Sequence, residues 1–299
     1  MSPPYGFHTT ATEVASDLST AIRGKTVLTT GVTPNSLGAQ FVSTIAAHAP
    51  ALLILASRTQ STIDATAAAI AAAHPAVRTR GLLLDLGDLA SARAAGDAVA
   101  GWRAAEGVVV DVLVLNAGVM ACPYGTTADG FERQFGTNHL GHFVFGNRVV
   151  PAMLGEGRAP RVVVVSSEGH QLGPVRFADP GFKGGECYDK WRAYGQAKTA
   201  NNLYALSLAE KLVATFRSLG SPLGFPEYWE KNPFKTHDEG TATHVFAAFA
   251  DGLEKENGKF LIDAQVCSWD MVSPWARNSY DAERLWKMSE EMVGEKFDL

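Results

Sequence analysis

The chain has 299 residues, of which 46% are hydrophobic and 19% are charged, so it can bury the large core of a globular protein. Its formal net charge of −5 gives no reason to expect a nucleic-acid partner, and no run of Lys and Arg marks an anionic membrane surface. No segment approaches the ~18 consecutive apolar residues of a membrane helix, so we expect no membrane span.

The cysteines and the N-terminus bear on the compartment. Cys122, Cys187 and Cys267 are odd in number, widely spaced and without a CxxC pair, so they indicate neither a zinc site nor a disulfide framework. A reducing compartment follows, which makes the cytoplasm the expected location. The N-terminus lacks the apolar core of a signal peptide, and we predict that residues 1–24 form a tail ending in a short helix.

Short apolar runs alternate with longer amphipathic stretches along the rest of the chain. The predicted strands are Lys25–Thr30, Ala51–Ala56, Thr79–Leu84, Val108–Leu115, Arg161–Val165 and Gly258–Asp263. The predicted helices are Leu37–His48, Gln60–Ala73, Ser91–Ala105, Phe131–Leu154, Tyr188–Leu212, Thr241–Phe249 and Asp281–Val293. Strands made almost wholly of Val, Ile and Leu are buried on both faces, and their alternation with helices indicates βαβ units. We therefore predict one α/β domain over residues 25–299, a doubly wound parallel sheet in a three-layer α/β/α sandwich.

The turn after the first strand has the composition of a phosphate-binding turn. It runs from Gly31 to Gly38, and a helix follows directly. Glycine lets the backbone approach a pyrophosphate, and the helix N-terminus offers free N–H groups. Asn35 and Ser36 stand where the middle glycine of the usual pattern would be. The alternative is an ordinary tight βα turn.

Polar residues also follow the second, third and fourth strands. Arg58, flanked by the hydroxyls of Ser57 and Thr59, stands where an NAD site usually has an acidic residue. A guanidinium matches a phosphate, so Arg58 favours NADP(H), although a surface Arg that begins a helix is the alternative. Asp85, beside Leu86, either accepts from the adenine amino group or caps the next helix. The small residues Asn116, Ala117 and Gly118 let the chain pass close to an adenosine ribose, or make a plain turn.

Tyr194 and Lys198 lie four residues apart, so they share one face of a predicted helix. An ammonium at that distance lowers the pKa of a phenol, and such a phenol exchanges a proton with a substrate oxygen. A hydroxyl of the Ser166-Ser167 pair is available to hold that oxygen. The alternative is a half-buried Tyr and a solvated Lys on an ordinary helix.

Asn138 and Gly141 are poor residues for the interior of the long predicted helix, and together they suggest a functional kink. Asn138 is a candidate to hold a water molecule in a proton relay. His139 and His142 have a spacing that permits metal ligation, but no third ligand is evident, so we expect packing or supporting roles. Apart from Asn138 and the Tyr194/Lys198 pair, the candidate residues follow carboxyl ends of strands, where open α/β sheets bind ligands.

The ordered motifs TGVTPNSLG, NAG, NHLGH, VVVVSS and YGQAK resemble those of the short-chain dehydrogenases/reductases. The wide gap between Ser167 and Tyr194 and the phrase NHLGHF resemble the retinol-dehydrogenase-like branch that is abundant in fungi. The resemblance implies a Rossmann fold and a role in secondary metabolism. It also implies Tyr194 as general acid/base, Lys198 on the nicotinamide ribose, Ser167 on the substrate oxygen and Asn138 in a proton relay. The implied cofactor residues are Gly31, Ser36, Leu37, Gly38, Ser57, Arg58, Asp85, Leu86, Asn116, Ala117, Gly118, Tyr194 and Lys198.

The chain departs from this pattern after Leu212. Family members continue with a sixth strand, a Pro-Gly motif and a threonine that close over the nicotinamide, and we predict that roughly 25–35 residues of this region are missing. The deletion would leave a sheet edge unpaired and the nicotinamide poorly held. Residues 213–236 are predicted to form a substrate lid, in which Phe225, Tyr228 and Trp229 either line an apolar pocket or anchor a loop.

The function expected from this pattern is an NADP(H)-dependent oxidoreductase for a small hydrophobic carbonyl or alcohol. Two other hypotheses remain open: a dinucleotide-binding sensor or scaffold that has lost turnover, and a non-redox enzyme that uses the same fold. The resemblance suggests a homodimer or a homotetramer, and no metal is expected.

Overall fold

Hydrophobic strands with both faces covered form the centre of the protein, as seen in a computed structural model that describes residues 5–155, 157–212, 215–219 and 235–299. The strands are β1 (Thr26–Thr30), β2 (Leu52–Ser57), β3 (Thr79–Leu83), β4 (Val112–Leu115), β5 (Arg161–Val165), β6 (Thr215–Leu219), β7 (Phe260–Ile262) and β8 (Gln265–Val266). Within the described residues they form one sheet of order β3-β2-β1-β4-β5-β6-β7-β8. Strands β1 to β7 pair in parallel, and β8 pairs antiparallel with β7.

Helices cover both faces of this sheet. They are α1 (Ala11–Asp17), α2 (Ser19–Ile22), α3 (Leu37–Ala46), α4 (Gln60–Ala73), α5 (Leu89–Glu106), α6 (Arg133–Phe135), α7 (Gly141–Met153), α8 (Lys190–Lys211), α9 (His237–Phe249) and α10 (Ser279–Val293). Helices α5, α7, α8 and α10 share one hydrophobic core, and α1 to α4 share the other with α9. The predicted doubly wound α/β sandwich is therefore confirmed. None of the described helices combines the length and the hydropathy that a membrane crossing needs.

The order in which strands are added to the sheet reverses between β1 and β4. Strand β1 pairs with β2 on one side and with β4 on the other. In open α/β sheets this switch leaves a crevice above the carboxyl ends of the two central strands, where ligands bind. The loops after β1 and β4 therefore border the expected ligand crevice.

The prediction that no sixth strand follows Leu212 was wrong. Strand β6 pairs with β5 along its whole length and with β7 through Ser218↔Phe260 and Leu219↔Leu261. Five extended residues shortly after α8 are enough to fill the slot between β5 and β7, and they satisfy backbone groups that would otherwise form an open edge. The Pro-Gly position and most of the predicted lid, with Phe225, Tyr228 and Trp229, lie outside the described residues.

The long helix predicted over 131–154 is divided. It consists of α6, a π-helical turn over Gly136–Leu140 and α7. The π-helical turn contains Asn138, and such turns frequently occur at functional sites. The predicted kink therefore takes the form of a local widening of the helix.

The N-terminal residues form two short helices before β1. Helix α1 begins with a capping box in which Thr10 and Glu13 satisfy each other's backbone N–H groups. Thr12 of α1 also donates from its hydroxyl and its backbone N–H to Asp238 at the start of α9. The N-terminal segment thus covers α9, which carries a residue of the site described below.

Candidate active site

The turn between β1 and α3 requires glycine for two separate reasons. Gly31 has φ +75°, and a Cβ there would lie 2.7 Å from the Cα of Ala117. A Cβ on Gly38 would lie 2.4 Å from the Gly31 carbonyl oxygen and 2.6 Å from the Asn116 amide nitrogen. Ser36 caps α3, since its hydroxyl accepts from the Ala39 N–H and donates to the Gly31 carbonyl. The turn is thereby held against the end of β4 with the helix N-terminus directed at the crevice.

Thr30, the last residue of β1, joins this turn to the end of β4. Its hydroxyl accepts from the backbone N–H groups of Asn116, at 2.9 Å, and Ala117, at 3.0 Å. The Asn116 side-chain amide donates back to the Thr30 carbonyl at 2.8 Å. Sequence reasoning assigned Thr30 no role, although its place directly before Gly31 was the available signal.

A cavity of about 740 Å³ lies above these loops. It has the size of a site for a drug-sized ligand or cofactor. The lining residues come from the loops after β1, β2, β3 and β4 and from the segment that leads into the π-helical turn: Thr30, Gly31, Thr33, Ser36, Leu37, Ala56, Ser57, Arg58, Leu84, Asp85, Leu86, Gly87, Asp88, Asn116, Ala117, Gly118, Val119, Thr126, Thr127, Ala128, Arg133 and Thr137. The structure thus brings together all of the predicted cofactor residues except Gly38, Tyr194 and Lys198. Sequence reasoning missed Arg133 and the 126–128 segment, for which no local pattern gave a signal.

Charged residues of the cavity differ in their local bonding. Asp85 accepts from the Gly87 N–H at 2.8 Å, whereas Asp88 caps α5 by accepting from the N–H groups of Ala90 and Ser91. The alternative that Asp85 caps the next helix was therefore wrong. Arg58 is exposed at the end of β2 and lines the cavity.

Tyr194, Ser167 and Lys198 come together at the carboxyl end of β5. The Tyr194 ring and the Ser167 hydroxyl meet at Gly169, where an added Cβ would lie 2.6 Å from the ring and 3.2 Å from the Ser167 Oγ. The Lys198 ammonium lies 5.6 Å from the centre of that ring and donates to the Val165 carbonyl at 3.1 Å. All three side chains are buried.

Burial is the largest influence on the pKa values of Tyr194 and Lys198. It raises the pKa of Tyr194 to about 12, although the bond from Ser167 works in the opposite direction. It also lowers the pKa of Lys198 to about 8. The prediction that Lys198 lowers the pKa of Tyr194 was wrong for this structure, because desolvation of the phenolate outweighs an ammonium that is directed at a carbonyl group.

Asn138 lies between the cavity and helix α8, which carries Tyr194 and Lys198. Its side chain exchanges two hydrogen bonds with the backbone of Val119, at 2.8 and 2.9 Å. A Cβ on Gly118 would lie 3.1 Å from its side-chain oxygen. Because Gly118 and Val119 line the cavity, its inner end lies beside Asn138. Helix α8, which carries Tyr194 and Lys198, packs against the same π-helical turn.

The two histidines after Asn138 are fully buried and have different partners. His139 bonds to Ser289 of α10 at 2.8 Å, away from the residues that line the cavity. His142 bonds to Thr30 and to the Asn138 carbonyl. Among the described residues, no three His, Cys, Asp or Glu side chains come together as metal ligands.

Comparison with known proteins agrees with this architecture. The family description short chain dehydrogenase matches residues 25–179. Retinol dehydrogenase 12 of Bos taurus is 39% identical over 230 residues, which cover 72% of this chain and 70% of that protein. Retinol dehydrogenase 11 of Homo sapiens is 37% identical over 230 residues, which cover 72% and 69%.

Solved structures share the fold over most of the chain. An uncharacterized protein from Mycobacterium paratuberculosis superposes with a TM-score of 0.74 at 31% identity, over 93% of this chain and 96% of that one. The angucycline C-6 ketoreductase LanV, solved with bound NADP, superposes with a TM-score of 0.61 at 21% identity, over 81% and 95%. This chain is therefore a member of the short-chain dehydrogenase family, similar to the retinol dehydrogenases, and an oxidoreductase of the kind that acts on alcohols and ketones with a nicotinamide dinucleotide.

Proposed function

We propose that the protein is an NADP(H)-dependent oxidoreductase that interconverts a carbonyl and an alcohol on a small hydrophobic substrate, with Tyr194 as the general acid/base. The observation that carries the proposal is the meeting of the Tyr194 ring and the Ser167 hydroxyl at Gly169, beyond the carboxyl end of β5. It unites two hydroxyl groups from different elements at the edge of the sheet where the cavity lies. Two such donors are what a carbonyl oxygen needs during reduction.

The residues of the cavity fit a dinucleotide. Gly31 and Gly38 leave no room for side chains, so the turn packs closely on the loop after β4. Ser36 and Leu37 at the N-terminus of α3 line the cavity, where free N–H groups suit a pyrophosphate. Asp85 and Leu86 suit an adenine ring, and Asn116 suits a ribose. When bound, the dinucleotide supplies the hydride, and the protein supplies orientation and the proton.

A preference for NADP(H) over NAD(H) is supported by the charge at the end of β2. Arg58 lines the cavity, flanked by the hydroxyls of Ser57 and Thr59. A guanidinium pairs with a phosphate through two hydrogen bonds, whereas an NAD site places a carboxylate near this position.

The raised pKa of Tyr194 favours the direction of carbonyl reduction. A phenol with a pKa of about 12 keeps its proton at neutral pH and can donate it to the oxygen that becomes the alcohol. Ser167 would orient that oxygen, and Asn138 would complete the proton relay. Lys198, which is mostly protonated below its pKa of about 8, would hold the nicotinamide ribose.

The substrate class is supported by the relatives. Two relatives that match over about two thirds of their own length are named for retinol, an apolar alcohol. We extend only the class to this chain: a hydrophobic alcohol or aldehyde. Thr215–Leu219 of the predicted lid form strand β6, and Phe225, Tyr228 and Trp229 of the same predicted lid would supply apolar contacts.

The direct test is NADPH consumption, followed by its near-ultraviolet absorbance, with a panel of apolar aldehydes and ketones. Tyr194→Phe is the matched control, because it removes one hydroxyl and retains the ring that packs on Gly169. We expect turnover by the wild type and its loss in the variant. Turnover that is unaffected by Tyr194→Phe would contradict the assigned mechanism.

A dinucleotide-binding sensor without turnover is the second candidate. It is favoured by the burial of Tyr194 and Lys198, which do not line the described cavity, and by the bond of the Lys198 ammonium to the Val165 carbonyl. Tight NADPH binding without consumption of any carbonyl in the panel would select this function over the first.

A further inference from the structure

Two buried histidines, one on each face of the sheet, bond to polar residues that line the cavity. His142 belongs to α7 and His244 to α9, and their exposed fractions are 1% and 2%. Neither was assigned a role in cofactor binding by the family motifs that suggested the site. Each bonds to a residue that lines the cavity, His142 to Thr30 and His244 to Asn116.

The bonds of His142 define its tautomer. Its Nδ1 lies 3.0 Å from the Asn138 carbonyl oxygen, which only accepts, so Nδ1 carries the proton. Its Nε2, 2.9 Å from the Thr30 hydroxyl oxygen, must then accept the hydroxyl proton. This leaves the lone pairs of Thr30 for the backbone N–H groups of Asn116 and Ala117. A neutral ring thus determines which way the hydroxyl points.

His244 fixes the other side of the same junction. Its Nε2 lies 3.3 Å from the side-chain oxygen of Asn116, which is an acceptor because the amide nitrogen donates to the Thr30 carbonyl. Nε2 must therefore carry the proton and donate to Asn116, which reinforces this orientation of the amide. The ring of His244 also lies against Phe41 of α3, at 6.3 Å between centroids, so α9 and the helix after the glycine turn are held together.

We propose that His142 and His244 are positioning residues that, as neutral rings, hold Thr30 and Asn116 in the arrangement that binds the dinucleotide. The inference rests on the proposed function, and it adds two residues to those that the motifs suggested. The charged and titratable groups that act electrostatically on them are Lys198, on both rings, and His139, on His142. No carboxylate acts on either ring among these interactions of the described residues, so a protonated ring would have no counter-ion.

The test compares NADPH dissociation constants, measured by isothermal titration on the full chain, with melting temperatures. His142→Leu and His244→Leu remove the ring nitrogens. His139→Leu is the matched control, because His139 is equally buried but bonds to Ser289. We expect all three variants to melt at lower temperature. Only the first two should bind NADPH more weakly, by about tenfold, the scale of one buried hydrogen bond.

A second pair of variants separates positioning from packing. In His142→Gln the amide reaches the position of Nε2 and can still accept from Thr30, whereas in His142→Asn it reaches only the position of Nδ1. We expect Gln to restore binding to within about threefold of the wild type and Asn not to do so.

Two outcomes would overturn the inference while leaving the proposed function intact. One is a dissociation constant for either the His142→Leu or the His244→Leu variant that equals that of the wild type. The other is equal binding by the His142→Gln and His142→Asn variants. Absence of NADPH binding by the wild type would overturn both the inference and the proposed function.

Discussion

Lowering the pH from 7 to 5 should destabilise the fold, because several histidines are buried as neutral rings. Burial lowers the pKa of His139 to about 3 and that of His142 and His244 to about 4. The pKa of His170 is lowered for the same reason. An unfolded histidine titrates near its ordinary pKa of 6.5, so the unfolded chain binds more protons across this interval. Stability is therefore fully present above pH 6.5 and is lost as the pH falls toward 4.

The size of the effect follows from proton counting. Each fully shifted histidine contributes a slope of about 1.4 kcal/mol per pH unit once the pH lies between its two pKa values. For His139, His142 and His244 together, the free energy of unfolding should fall by about 5 kcal/mol between pH 7 and pH 5. That is comparable with the whole stability of a typical domain. The buried Glu132, whose pKa is raised by desolvation, works in the opposite sense.

The assay is urea unfolding, followed by circular dichroism, at intervals between pH 7 and pH 5. His139→Leu removes one of the three fully buried rings, so the loss of about 5 kcal/mol assigned to these three should shrink by about a third, even though the variant begins less stable. A free energy of unfolding that stays constant across this pH range would refute the neutral burial of these rings.

Four further predictions concern single substitutions, three in the site and one at a control position. Arg58→Ala should raise the NADPH dissociation constant about 10-fold to 100-fold and change that of NADH less than about threefold, as measured by isothermal titration. Equal losses of affinity for both cofactors would contradict a contact between Arg58 and the 2′-phosphate of NADPH. Tyr194→Phe should lower the rate of carbonyl reduction at least about 100-fold while the NADPH dissociation constant changes little. Stopped-flow kinetics measure this rate, and a rate equal to that of the wild type would contradict the role of Tyr194. Gly38→Ala should abolish dinucleotide binding, because its Cβ would lie 2.4 Å from the Gly31 carbonyl oxygen. Gly101 lies on the exposed face of α5, where an added Cβ would have no atom within 4 Å, so Gly101→Ala should instead stabilise the fold by about 0.5–1 kcal/mol. Thermal melts and cofactor titrations on both variants test this contrast, and weaker dinucleotide binding by Gly101→Ala than by Gly38→Ala would contradict it.

Local patterns in the sequence were sufficient for most of the fold. Helix α4 has the predicted bounds because Ile63 and Ile70 share a buried face and Thr59 caps the first turn. Strand β4 begins four residues later than predicted, since its pairing with β1 starts only at Val27↔Val112. Strand β6 was missed because its five residues show little of the pattern of a strand. They are extended because they pair with β5 and β7, two strands that are distant from each other in sequence.

The candidate site was predictable in its location but not in its electrostatics. The spacing of Tyr194 and Lys198 places both on one helix face, but it carries no information on how deeply each group is buried. Burial determines the sign of the pKa shift, and here it reverses the shift expected for Tyr194. The contact between His244 and Asn116 joins residues 128 positions apart, and no local motif encodes such a pairing.

Hydride transfer is the central claim, and isotope transfer measures it most directly. NADPH that carries deuterium at the transferred position of C4 is incubated with the protein and the carbonyl compound that is turned over, and the alcohol is analysed by mass spectrometry. We expect the alcohol to carry the deuterium and the Tyr194→Phe variant to form almost none of this alcohol. An unlabelled product, or labelled alcohol formed equally well by the Tyr194→Phe variant, would contradict this expectation.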